Sequence, residues 1–215
     1  MRERKSTPVK FFILPPKLKE AFLNGLNPLV SVLVKLNLSP NWFTTFSLLL
    51  GVASGVCYGK GYLRCGGALV LLCGLLDTLD GKVARATNRV TRFGALYDST
   101  LDRYAEVIAF FGMAFYFVAH QQLLVSVAIC VALAGSLMVS YVRARAEGLG
   151  FECKVGLMQR PERLVLVGVG SLAHEYALVG AIFVIAVLSN FTAGQRLYHV
   201  WVSDRNMQSQ STGHA

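Results

Sequence analysis

Two carboxylate-bearing runs carry the chemistry of this chain: Asp77-Thr-Leu-Asp80-Gly81-Lys-Val-Ala84-Arg85 and Gly94-Ala-Leu-Tyr-Asp98-Ser-Thr-Leu-Asp102. At about 100° per residue, Asp77, Asp80, Gly81 and Ala84 fall on one face of a helix. Asp98 and Asp102, four residues apart, share a face of the next helix, with Gly94 one turn ahead of them. The connecting loop is short, so the two helices are expected to be antiparallel neighbours whose loop-proximal turns face each other. Four hard oxygen donors then converge on one point and leave positions open for a phosphate. That set suits Mg2+ or Mn2+, and its size suggests two ions.

Spacing alone leaves two other readings open. The carboxylates could pair with Lys82, Arg85, Arg89, Arg92 and Arg103 as a structural network, or they could line the cation path of a transporter. A transporter of this length would be expected to show repeated halves or interrupted helices, and neither is evident.

The elements that must hold these residues are membrane helices. Of the 215 residues 54% are hydrophobic and 15% charged, against about 25% charged in a soluble domain. Mean hydropathy is +0.50. No charge interrupts the chain between Lys35 and Lys60, between Glu106 and Arg143, or between Glu175 and Arg196. A spanning helix needs roughly 20 apolar residues, and His120-Gln121-Gln122 offers a polar turn inside the longest gap. The expected fold is an all-α integral membrane protein with six transmembrane helices, at 41–59, 61–86, 93–119, 123–146, 160–174 and 176–196. The fifth is the weakest, since its apolar stretch runs only from Leu164 to Ala173.

Before the first span, residues 16–37 read as an amphipathic helix lying on the membrane, or alternatively as a short buried helix. Leu18, Phe22, Leu26, Leu29, Leu33 and Leu36 form its apolar stripe, and Pro28 is expected to kink it. The chain thus divides into a cytoplasmic arm with this interfacial helix (1–40), a six-helix catalytic domain (41–200) and a disordered cytoplasmic tail (201–215). No cleavable signal peptide is expected at the start. Lys and Arg concentrate in the arm and in the loops after spans two and four, and the opposite side keeps only Lys60 and Arg64. The positive-inside rule therefore places both termini and the carboxylates on the cytoplasmic side of the cell membrane. The net charge of +9 reads as topology and attraction to anionic lipid, with no nucleic-acid partner. Cys57, Cys65, Cys73, Cys130 and Cys153 show no metal-ligand spacing and read as reduced packing residues.

The two runs fit without exception the pattern D-x2-D-G-x2-A-R-x8-G-x3-D-x3-D of the CDP-alcohol phosphotransferases, which this chain resembles over about residues 16–200. The resemblance implies that Asp77, Asp80, Asp98 and Asp102 hold two divalent ions against the diphosphate of a CDP-linked lipid. It implies that Gly81 and Ala84, with Gly94, leave room for the nucleotide, that Arg85 lies beside it, and that the fold is a homodimer. Asn41 and Thr44 resemble a nucleotide-binding Asn-x-x-Thr, although a helix cap would explain them equally well. The implied reaction is in-line attack of an alcohol oxygen on the lipid-side phosphorus of CDP-diacylglycerol, with CMP leaving. Asp102, last of the four, is the candidate general base, or merely orients the hydroxyl, since a carboxylate shared with a metal is a weak base.

Asp98-Ser-Thr-Leu-Asp102-Arg103 resembles the branch of the family that uses inositol or inositol phosphate, and Ser140-Tyr-Val-Arg143-Ala-Arg145-Ala-Glu147 and Gly156-Leu-Met-Gln-Arg160-Pro-Glu-Arg163 resemble its bacterial members that use inositol phosphate. That resemblance implies an acceptor pocket formed by Ser140, Arg143, Arg160, Arg163 and Arg196. Free inositol, glycerol 3-phosphate or another polar alcohol are the alternatives. Guanidinium groups bind phosphate bidentately, yet plain snorkelling at the cytoplasmic boundary would also place these arginines.

Overall fold

A computed structural model describes residues 24–35 and 40–212, and among them every element is helical. Seven helices follow in order: α1 (Asn27–Lys35), α2 (Pro40–Gly59), α3 (Leu63–Ala86), α4 (Arg92–Ala119), α5 (Leu123–Gly148), α6 (Arg160–Ala173) and α7 (Glu175–Thr212). Helices α2 to α6 coincide closely with the first five segments read from the sequence, and α7 begins with the sixth and runs on past it. Three helices are long and apolar enough to cross a membrane: Asn41–Gly59, Leu123–Gly148 and Glu175–Ser209. Helices α3 and α4 are long enough but carry the charged functional residues, and α6 has only 14 residues.

The break expected at Pro28 falls just ahead of it, between helical residues 24–25 and α1. The chain turns at Leu26 and α1 begins at Asn27, which puts Pro28 in a first turn, where its missing N–H costs nothing. Residues 16–23, 36 and 37 of the expected surface helix lie outside the described residues. At the other end, α7 continues through most of the segment expected to be a disordered tail, reaching Thr212. Local pairs accompany this extension: Arg205 stacks on the Trp201 ring and Gln208 donates to Asp204.

The expected direct packing of α3 on α4 is also replaced. These helices touch little, and α2 packs along both of them. The cause is a close glycine contact: a Cβ on Gly112 of α4 would lie 2.1 Å from the carbonyl oxygen of Gly55 on α2. Small residues let helix backbones approach this closely, a common way to gain packing energy in lipid. Helix α2 therefore acts as the spacer that sets how the carboxylate ends of α3 and α4 meet. On the far face of α3, Leu79 and Val83 pack with Val30 of α1, and Lys82 donates to Asn27.

The main core gathers Tyr58, Val70, Met113, Phe117, Ile129, Ile182 and Ile185 from five helices. Large apolar side chains also face outward, among them Leu49, Phe111, Phe115, Leu124, Val131, Val187 and Phe191. An apolar exterior of this extent fits a lipid-facing surface. The segment between α5 and α6 is irregular yet folded inward, with Cys153 and Met158 fully buried. Its backbone is satisfied from α7, since Thr192 accepts from the Met158 N–H and Arg196 donates to the Val155 carbonyl. Such internal satisfaction is what permits non-helical backbone to be buried within the protein.

Candidate active site

The last turns of α3 present Asp77, Asp80, Gly81 and Ala84 on one face, as their spacing requires. The start of α4 is fixed by Thr91, an extended N-cap residue whose Oγ1 accepts from the Gly94 N–H at 2.9 Å. Gly94 is needed there: a Cβ would sit 2.9 Å from that Oγ1 and 3.6 Å from Oδ1 of Asn41. Asp98 and Asp102 follow one and two turns along the same face. Oxygens of Asp77, Asp98 and Asp102, one from each, all lie within 4.8 Å of one another.

The fourth aspartate is held differently. Asp80 is buried, and its Oδ2 accepts from Oγ1 of the equally buried Thr44 at 3.0 Å. Helix α2 thereby enters the site, with Asn41 beside Gly94 and Thr44 on Asp80. Tyr97, next to Asp98, adds a second tie to α2 through a 3.0 Å hydroxyl pair with Thr45. The Arg85 guanidinium folds back over Gly81, 3.4 Å from where a Cβ would stand. Ala84 is half-buried beside it.

The cation that meets the carboxylates comes from outside their run. Nη1 of Arg160, in the first turn of α6, lies 2.6 Å from Oδ2 of Asp77 and 2.7 Å from Oδ2 of Asp102. Arg103 stands 3.9 Å from Asp102. Next to this contact, Glu106 and Arg163 form a buried bidentate pair at 2.8 and 3.2 Å, with Arg163 only 1% exposed. Asp98, Asp102 and Glu106 are successive i, i+4 positions on α4, so two layers of charge join α4 to α6. Neither Glu106 nor the engagement of Arg160 with aspartates is legible from the motif. The i, i+4 continuation from Asp102 to Glu106 is the one signal that pointed there.

The arginines assigned to an acceptor pocket separate accordingly. Arg163 is committed to Glu106, and Arg160 to Asp77 and Asp102. Arg196 is buried and donates to the carbonyls of Val139 and Val155, which brings it beside the half-buried Ser140. Arg143 is exposed and pairs with Glu147 at 2.9 Å. Burial raises the thiol of loop residue Cys153 above its usual range, while the Arg196 and Arg143 charges oppose that shift. Both arginines thus act on one region, Arg143 from the last turns of α5 and Arg196 from midway along α7.

The carboxylate set fits a hard divalent cation. Three converging oxygens come from three side chains, and Oδ1 of Asp98 is buried with no hydrogen-bond partner. A buried carboxylate oxygen left unpaired is costly unless something else satisfies it.

Known proteins with the same arrangement exist. The pattern of the CDP-alcohol phosphatidyltransferase family matches residues 37–192. The archaetidylinositol phosphate synthase of Methanothermobacter thermautotrophicus is 39% identical over 195 residues, covering 86% of this chain and 97% of that protein. The phosphatidylinositol phosphate synthase of Mycobacteroides abscessus is 36% identical, covering 86% of this chain and 87% of that protein. Among solved structures, the phosphatidylinositol phosphate synthase of Mycobacterium tuberculosis with CDP-DAG bound aligns with a TM-score of 0.73 at 32% identity, covering 81% of this chain and 92% of that one. The same enzyme in complex with manganese and citrate aligns with a TM-score of 0.74, covering 81% and 88%. The motif, the helix arrangement and these relatives agree: the chain belongs to the CDP-alcohol phosphatidyltransferase family and is a phosphatidyltransferase.

Proposed function

We propose that this protein transfers the phosphatidyl group of CDP-diacylglycerol to inositol 1-phosphate and releases CMP, a step of phospholipid biosynthesis. The observation that carries the reading is the convergence of Asp77, Asp98 and Asp102, with basic residues from α5, α6 and α7 at the same end of the bundle. The two relatives named above differ in the lipid part of their names and agree on inositol phosphate. That agreement favours a phosphorylated inositol over free inositol or glycerol 3-phosphate.

In this reading Asp77, Asp80, Asp98 and Asp102 hold two Mg2+ or Mn2+ ions, whose charge offsets that of the diphosphate and of departing CMP. Thr44 fixes the rotamer of Asp80 from α2. Gly81 and Ala84 leave space for cytidine, bounded by Arg85 and Asn41. The acceptor hydroxyl lies against Asp102, which orients it for in-line attack and takes its proton. The acceptor phosphate is bound by Arg143 and Arg196 with the Ser140 hydroxyl. Arg163 supports the pocket from behind through Glu106. Arg160, already on the carboxylates, stands between the lipid diphosphate and the acceptor. Six membrane spans with both termini and the site in the cytoplasm, and a homodimeric assembly, complete the proposal. It is supported by the outward apolar residues and by the distribution of Lys and Arg.

The test is purified protein with radiolabelled CDP-diacylglycerol and a panel of inositol 1-phosphate, inositol and glycerol 3-phosphate, reading CMP and lipid product. Inositol 1-phosphate should give the highest kcat/KM. A clear preference for either other acceptor would replace that assignment while leaving the transferase chemistry in place.

A further inference from the structure

At the end of α2 and α3 away from the aspartates, two cysteines that the sequence gives no reason to pair are brought together. The Sγ atoms of Cys57 and Cys65 lie 3.4 Å apart, Cys65 exposed and Cys57 half-buried. We propose that Cys57 and Cys65 are a redox-active thiol pair that closes reversibly to an intramolecular disulfide across the α2–α3 turn.

The approach is built into the turn. Tyr62 N–H donates to the Cys57 carbonyl at 2.9 Å, Gly61 N–H donates to that of Tyr58 at 2.9 Å, and Gly66 N–H donates to that of Tyr62 at 2.9 Å. Gly61 takes a φ of 82°, which allows the chain to reverse within so few residues. Just inside the turn, Ser54 donates to the Gly66 carbonyl at 2.9 Å, and the Tyr58 ring lies where a Cβ on Gly66 would be 2.9 Å from it. The two helices are therefore fixed against each other around the thiols. A disulfide bond is about 2.05 Å long, so closure asks for about 1.4 Å of sulfur movement, which rotation about the two Cα–Cβ bonds can supply. Prior positioning of this kind is what makes an intramolecular thiol outcompete a second external one.

The remaining cysteines lack this setting. Cys73 is buried against Ser47, Cys153 is buried in the α5–α6 segment, and Cys130 lies exposed on α5, away from the α2–α3 turn. Asp77 lies twelve positions along α3 from Cys65, about 18 Å along the helix axis, so the pair is distinct from the carboxylate site.

The chemistry balances with a disulfide oxidant. The Cys65 thiolate attacks one sulfur of the oxidant, forms a mixed disulfide and releases one thiol. The Cys57 thiolate then attacks Sγ of Cys65 and expels the second thiol. The two cysteines lose two protons and two electrons, and the oxidant is reduced to two thiols.

The experiment uses the full-length protein in detergent, reduced, freed of reductant, incubated with oxidised glutathione, alkylated and mapped by mass spectrometry without reduction. The expected product is a Cys57–Cys65 cross-link, with two fewer alkylatable thiols and full reversal by dithiothreitol. Cys57→Ser should instead trap a lasting glutathione adduct on Cys65. Wild-type protein that keeps such an adduct with Cys57 still alkylatable, links Cys65 to a second molecule, or does not react at Cys65 overturns the proposal. These readouts report sulfur chemistry alone and are independent of the acceptor and of transferase activity.

Discussion

Asp80 and Thr44 show how a single hydrogen bond between helices can be tested at the residue scale. The bond is buried, so removing the donor leaves a carboxylate oxygen unsatisfied, a loss of about 1–3 kcal/mol. Thr44→Val should therefore lower kcat/KM for the CDP-lipid on the order of tenfold to a hundredfold, while Thr44→Ser keeps most of it. Equal activity of the Val and Ser variants would remove this role. The arginines divide in the same way. Arg143→Ala should raise the acceptor KM on the order of tenfold to a hundredfold, from a charge-assisted bond of about 1.5–3 kcal/mol, and leave the CDP-lipid KM nearly unchanged. A purely snorkelling Arg143 would leave both constants unchanged in correctly inserted protein. At this scale the aspartates were legible, because their geometry is local to two helices with fixed angular spacing. The arginines were not. Arg163 reads as an acceptor ligand only until its neighbour Glu106 is known to face it, and that depends on where α3 and α7, the helices α6 packs on, hold it relative to α4.

Between helices, the α4–α6 contact rests on a buried ion pair and the α2–α4 contact on glycines. Removing one partner of a buried pair leaves an uncompensated charge at about 3–5 kcal/mol, whereas apolar residues of similar volume in both places are often tolerated. Arg163→Met should thus strongly lower thermal stability in detergent, and Glu106→Met combined with Arg163→Met should recover much of it. A double variant as unstable as the single would show that the pair does more than join the helices. Gly112→Val should separate α2 from α4, since even a Cβ there meets the Gly55 carbonyl at 2.1 Å. Thermal melting should fall together with CDP-lipid turnover, because α2 carries Thr44. Unchanged melting would contradict the close contact. Hydropathy located the helices but not their neighbours: a five-residue loop between α3 and α4 suggested direct packing, and small residues on α2 decided otherwise. Helix α6 was faint in the sequence because it is short and begins with Arg160 and Arg163, whose partners lie elsewhere in the chain.

For the whole molecule, the question is whether a bundle with carboxylates at one end moves ions or makes lipid. Charge-free gaps marked α2, α5 and much of α4 and α7, since lipid-exposed segments exclude charge almost everywhere. Neither hydropathy nor spacing could decide between a transport path and a transferase. The residue pattern of the family does, and the converging oxygens of Asp77, Asp98 and Asp102 agree with it. The most direct measurement is CMP release from CDP-diacylglycerol and inositol 1-phosphate by protein in detergent, where no sealed compartment exists. Wild type and Asp98→Asn would be compared, each with Mg2+ and with EDTA. A metal-dependent transferase should show turnover by the wild type with Mg2+, loss of that turnover in EDTA, and near-abolition in Asp98→Asn under both conditions. Full CMP release in EDTA or by Asp98→Asn would contradict a metal-dependent transferase centred on these aspartates.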